Sequence, residues 1–192
     1  MALSRAFFVL SLALPVLPAS ADVWEYGEQE CNELWFSRNL IMDRAGYCFG
    51  SPLGQALFDN ANCHGSNVAL GAENTRQVER IRALEAQIGC KVNTGQTWLD
   101  VPNMDGLRRL RDMALPDNGA SACTWAGAPL PYYDGYSAGA QVIGQINVGD
   151  RIGFGWIGEG DWTVIAVGGQ SVIGWVNFSN SNFEQSCADW AG

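Results

Sequence analysis

Basic residues are scarce in this chain and histidine is nearly missing: Lys and Arg together number 11 against 20 Asp and Glu, and His64 is the only histidine. The formal net charge is −9, and Arg151 is the only base after Cys123. A surface of that sign repels polyanions, so nucleic acid and anionic membrane are poor partners. With one histidine, neither a Ser-His-Asp triad nor a His-rich zinc site can be built. His64 adjoins Cys63, but in an oxidising compartment that Cys belongs to a disulfide rather than to a Cys-His nucleophile pair. No Gly-x-x-x-x-Gly-Lys phosphate loop and no Asp-x-Asp-x-Asp-Gly calcium loop occurs. Glu159 and Asp161 could imitate the two carboxylates of a glycosidase. They flank Gly160, where turn chemistry accounts for them. The chain is therefore expected not to be an enzyme and to use no cofactor.

Long apolar runs are missing too, with one exception at the start. Residues 1–21 carry one base, Arg5, an apolar stretch from Phe7 to Leu14, Pro15 and Pro18, and the small-residue motif Ala19-Ser20-Ala21. That order is a secretory signal peptide cleaved after Ala21. No segment reaches the ~20 apolar residues that a membrane-spanning helix needs. The mature chain is expected to be periplasmic or secreted, with no transmembrane segment and a net charge near −10.

Six cysteines, all after the leader, form an even set, and export lets them pair. Fifteen connectivities are formally open. Cys123 and Cys187 bracket the C-terminal segment and are the first choice for a bridge. A helix between Cys31 and Cys48 would hold them roughly 20 Å apart, which leaves Cys48 with Cys63 and Cys31 with Cys90 as the preferred pairs.

The C-terminal part reads as β-structure. Ile152, Phe154 and Trp156 alternate with Gly153 and Gly155, the period of a strand with one buried face. Residues 162–167 and 172–178 are rich in β-branched and aromatic types and are separated by Gly168-Gly169-Gln170, which predicts a hairpin. Further turns at Gly149-Asp150 and Gly158–Asp161 leave room for about five strands, and a compact barrel accommodates them. Ser137, Val142-Ile143-Gly144, Gly149-Asp150, Gly160-Asp161-Trp162 and Gly174-Trp175-Val176 follow the order of bacterial SH3 domains, which this segment resembles. The resemblance implies an SH3-like barrel and, through the usual association of such domains, recognition of cell-wall peptide. The first strand departs from the family, with Leu130-Pro131-Tyr132-Tyr133 in its place.

The N-terminal part reads as helical. Asn32 is placed to cap a helix carrying Leu34, Trp35, Ile41 and Met42, with Gly46 as its stop. Ser51-Pro52 starts a second helix, Asn74 and Gln77 open a third from Thr75 to Gly89, and residues 103–115 suggest a fourth through Leu107, Leu110 and Met113. Arg38-Asn39, Ile41, Arg44 and Gly46-Tyr47 resemble the YARHG domain, a small extracellular or periplasmic bacterial module of unknown function. Asp43 and Ala45 stand where that family has Ala and His. Arg38, Asn39, Asp43 and Arg44 could form a polar binding face, but bonding to turn carbonyls and to one another explains them as well.

The expected fold is thus α+β. Residues 1–21 are the leader, 22–115 a small disulfide-bonded helical YARHG-like domain, 116–122 a linker, and 123–192 the SH3-like β-barrel. Tyr132, Tyr133 and Tyr136 crowd the start of the barrel, and with Trp156 they are the candidate ligand-binding residues, aromatic faces on which a peptide or sugar can stack. The function expected is a non-enzymatic exported binding module for cell-wall peptide or an envelope protein. The alternative is a protein-partner module, an inhibitor or accessory subunit of an envelope enzyme, with no wall binding.

Overall fold

A computed structural model describes residues 26–168, 172–179 and 181–192; the leader and the Gly169-Gln170 turn lie outside them. Helix α1 (Glu28–Arg44) begins four residues before Asn32, because the Gly27 N–H is satisfied by the Glu30 carboxylate at 2.7 Å. Leu34, Trp35 and Phe36 follow one another at successive 100° steps and are all buried, so this helix is enclosed on every side over that stretch. Helix α2 (Pro52–Leu57) is capped by the Ser51 hydroxyl, which accepts from the Gly54 N–H, as its Ser-Pro start predicts.

Helix α3 (Ala72–Ile88) starts three residues before Thr75 and stops at Gly89, which takes the left-handed conformation. Val78, Ile81 and Leu84 face α1. Gln77, proposed as a cap, instead lies inside the helix and is buried. Cys31–Cys90 ties the start of α1 to the end of α3, Cys48–Cys63 closes the loop around α2, and Cys123–Cys187 staples two strands. These are the three preferred pairs.

The fourth helix is shorter than its apolar spacing suggests. Helix α4 spans only Met104–Leu107. The Arg111 and Asp112 N–H groups donate to the Asp134 carbonyl, so the helical ladder does not continue. Leu107, Leu110 and Met113 are nonetheless buried together.

Seven strands follow: β1 (Pro116–Trp125), β2 (Leu130–Tyr133), β3 (Val142–Ile146), β4 (Arg151–Trp156), β5 (Trp162–Val167), β6 (Ile173–Asn177) and, after the one-turn helix α5 (Phe183–Ser186), β7 (Cys187–Ala191). The expected hairpin forms between β5 and β6, with Val164 opposite Trp175. The expected closed barrel does not form. The strands make one antiparallel sheet in the order β3-β2-β6-β5-β4-β1-β7, with β3 and β7 as edges. Residues 116–122, expected as a linker, are most of β1, which pairs with β4 on one side and β7 on the other. This inserted strand carries β7 to the far end of the sheet from β3, and no ladder joins the two among the described residues.

The two faces of the sheet have different partners. Trp125, Tyr132, Ile146, Ile152, Ile165 and Val176 form a core of their own. Val164, Ile173 and Trp175 point the other way and join the helices in a core that runs without interruption from Leu34 to Trp175. The helical part and the sheet therefore share one apolar interior.

Candidate functional site

The four aromatic residues expected to bind ligand do not share a site. Tyr132 is buried, contrary to the binding reading. Its ring fills the space left by Gly144 and Gly174, and a Cβ added at Gly174 would fall 2.5 Å from ring carbon Cδ2. Tyr133 stands edge-on to Trp162, their ring centroids 5.4 Å apart. Tyr136 packs on Trp175 at 4.7 Å and lines a polar groove of about 510 Å³ with Gln77, Arg80 and Glu159. Burial, and secondarily the Glu159 charge, raise the Tyr136 phenol above its ordinary value. In this groove Arg80 pairs with Glu159 at 2.5 Å and Arg76 with Glu73, so its charges are already neutralised. Glu159 is thereby an ion-pair partner at a turn, and Asp161 stands exposed beside it.

The residues carrying the YARHG resemblance hold the structure together. Arg38 pairs with Glu85 of α3 at 3.0 Å. The Asn39 amide donates to the Trp35 carbonyl, and the two Arg44 η-nitrogens donate to the carbonyls of Leu110 and Arg108. Gly46, with φ of +83°, sits where a Cβ would collide with the His64 ring. Its carbonyl accepts from the His64 N–H at 2.7 Å.

Trp156 leads elsewhere, into a cleft of about 290 Å³ where α1 meets β1 and β4. Between Pro116, opposite Trp156, and Ser121, opposite Phe154, the register of β1 shifts. This bulge swings residues 117–120 off the flank of β4 and forms one wall. The floor is bare because Gly153 and Gly155 put no side chain into it, and a Cβ added at either finds no atom closer than 3.9 Å. The opposite wall is α1, from which Glu30 and Glu33 face the cleft.

Glu33 is only 6% exposed, and its Oε1 accepts from the Trp156 Nε1–H at 2.6 Å. Burial is the main force on this carboxyl and raises its pKa; the indole bond lowers it, the Glu30 charge raises it, and the value comes to about 7. Asn103 also lines the cleft, 9% exposed, and its Oδ1 accepts no hydrogen bond. A buried polar atom without a partner costs free energy, and the Asn103 Oδ1 bears that cost closed off from solvent. Asp117 adds a carboxylate from β1, and no basic side chain lines the cleft among the described residues. The arrangement can accept hydrogen bonds and hold positive charge.

Sequence reasoning named Trp156 but missed Glu33 and Asn103. No local pattern marks Glu33, because α1 also carries Gln29, Glu30, Asn32, Arg38 and Asn39, and it is the packing of β4 against the helix that encloses this carboxylate.

Residues 89–192, more than half of the chain, match the model of the family described as Domain of unknown function (DUF4453), and residues 17–86 match the YARHG domain. No curated protein and no solved structure matches the chain. Among the described residues, no helix is long and apolar enough to cross a membrane.

Proposed function

The chain belongs to the family of the domain of unknown function DUF4453, and from that premise we propose that it is an exported, non-catalytic binding module that engages cell-wall peptide or an envelope protein through the cleft around Glu33 and Trp156. The observation that carries this reading is the cleft itself: a concavity walled by two different parts of the fold, with the Trp156 ring and the Glu33 carboxylate, bonded to each other, converging on it. Its volume, about 290 Å³, is at the lower end of ligand sites. Three disulfides suit an oxidising compartment, and the pattern of residues 1–21 is that of an export leader. The succession Gly149-Asp150, Gly160-Asp161-Trp162 and Gly174-Trp175-Val176 along β4, β5 and β6 supports β2–β6 as an SH3-like unit, opened and extended by β1 and β7.

Co-sedimentation of the mature chain with purified sacculi tests the reading. The wild type is expected to pellet, Gly155→Leu, which fills the cleft floor, to stay in solution, and Tyr133→Ala to pellet like the wild type. Failure of the wild type to pellet removes the wall, and failure of Gly155→Leu to change the result removes the cleft. A second reading, a protein-partner module, is favoured by Trp98 and Trp190, which are 65% and 52% exposed, as aromatic anchors of protein interfaces are before docking. A protein that co-purifies with the wild type and is lost with Trp98→Ala or Trp190→Ala, without wall binding, selects it.

A further inference from the structure

We propose that the cleft between α1, β1 and β4 takes the cationic end of its ligand, a primary ammonium carried on an unbranched chain, seated against the Trp156 ring and the Glu33 carboxylate. The proposal rests on the reading that this cleft is the binding site, and it adds the chemical class of what enters.

Three independent features select a cation. The first is charge: Glu30 and Glu33 on α1 and Asp117 on β1 are the ionisable groups lining the cleft, and β4 and β5 contribute only glycine, alanine and aromatic side chains. Asp100, in the loop after α3, is engaged by the Gln29 amide at 2.8 Å on the rim. An anion would meet carboxylates from two sides without a compensating base.

The second is hydrogen-bonding polarity. The Glu33 carboxylate, whose Oε1 already takes the Trp156 indole N–H, offers further acceptor capacity once ionised. The Asn32 amide is already spent on the Asp100 carbonyl at 3.3 Å. A ligand group rich in N–H donors fits such a wall, and an ammonium, with three donors and no acceptor, fits it best. The third is the aromatic surface of Trp156. Cations are attracted to the face of such a ring, most strongly where water is excluded. The bare Gly153-Gly155 floor gives a slender methylene chain room to lie, while the size of the cleft suits one side-chain-sized group.

Binding is then coupled to a proton. The carboxyl of Glu33 is protonated about as often as not at pH 7, and a cation beside it favours the ionised form. Glu30 and Asp117 oppose ionisation and add to the attraction. A ligand that needs the carboxylate therefore binds more tightly as pH rises, by up to about tenfold per unit below pH 7.

Isothermal titration of the mature chain with acetyl-Ala-Lys-Ala-amide, its Nε-acetylated form and acetyl-Ala-Glu-Ala-amide tests the inference. The lysine peptide is expected to bind, with affinity rising between pH 6 and 8. Acetylation and Glu33→Gln are each expected to weaken it about tenfold or more, and Gly155→Leu to abolish it. Because Gln copies the neutral form of the side chain, Glu33→Gln should fold, and its circular dichroism and melting temperature verify this. If the acetylated or glutamate peptide binds as well as the lysine peptide, or Glu33→Gln leaves the affinity unchanged, the cation is not what the cleft selects. If the lysine peptide does not bind at all, the inference also falls. In both cases the pelleting of wild type but not Gly155→Leu with sacculi decides separately whether the cleft binds something else.

Discussion

Trp156 and Glu33, 123 positions apart, are joined by a hydrogen bond of 2.6 Å from the indole N–H to a carboxylate oxygen. This contact ties β4 to α1 and crosses the boundary between the two family matches. It also keeps a buried acid in place where a neutral residue would pack at less cost.

The first prediction concerns that cost. The Glu33 pKa rises from 4.5 to about 7 in the folded state, so the native protein holds a proton that the unfolded chain releases between those values. Stability is full below pH 4.5 and falls as pH rises through 7, by about 3 kcal/mol in all for this group. Glu33→Gln is expected to remove that slope. Urea titrations of wild type and variant at pH 5 and pH 8 check it: the difference between the two proteins should grow towards pH 8, with the variant the more stable there.

A second buried acid does the opposite kind of work. The Asp112 carboxylate is 1% exposed and accepts from the N–H groups of Tyr136 and Ser137, each at 2.8 Å. Asp112→Ala strands both donors and is expected to cost about 3 kcal/mol. Urea denaturation measures the loss, and altered tryptophan fluorescence reports release of the Tyr136 ring from Trp175.

The bridges should differ in worth according to the loops they close. Cys48–Cys63 encloses a sequence separation of 15, against 59 for Cys31–Cys90 and 64 for Cys123–Cys187. In the chain-entropy account, loss of the short loop costs about 3 kcal/mol and loss of either long one about 4. Paired Cys→Ala variants, compared by denaturation midpoint, are expected in that order.

Tyr132 should behave as core. Gly174→Ala pushes a methyl into its ring, and overpacking of this kind costs about 1–3 kcal/mol. Thermal melting of Gly174→Ala and Tyr132→Ala should show both destabilised, whereas Tyr133→Ala should melt closer to the wild type.

The legible parts of this fold were those governed by local pattern. The alternation of Ile152, Phe154 and Trp156 predicted β4, the Gly168 turn between β-branched runs predicted the β5–β6 hairpin, and Ser51-Pro52 marked α2. Cysteine position and helix length led to the three pairs observed. What escaped depended on distant partners. Pro116-Asp117-Asn118-Gly119 has the composition of a turn, and it is the bulged start of a strand because Pro116 is held opposite Trp156 and regular pairing with β4 resumes at Ser121. The helix expected over 103–115 is cut short by a carbonyl from Asp134, which no local window contains. At the site, Trp156 was visible as an aromatic residue. The acid that it meets was not, since only tertiary packing turns the α1 carboxylate inward.

The continuous interior from Leu34 to Trp175 has a bearing on where such a chain can be truncated. A cut between residues 86 and 89, where the two family matches part company, would divide a single apolar interior and part Val164, Ile173 and Trp175 of the sheet from the α1 and α3 side chains that share their core. The boundary between the two family matches is thus not a boundary of the hydrophobic core, and a fragment ending there carries apolar surface that the whole chain buries.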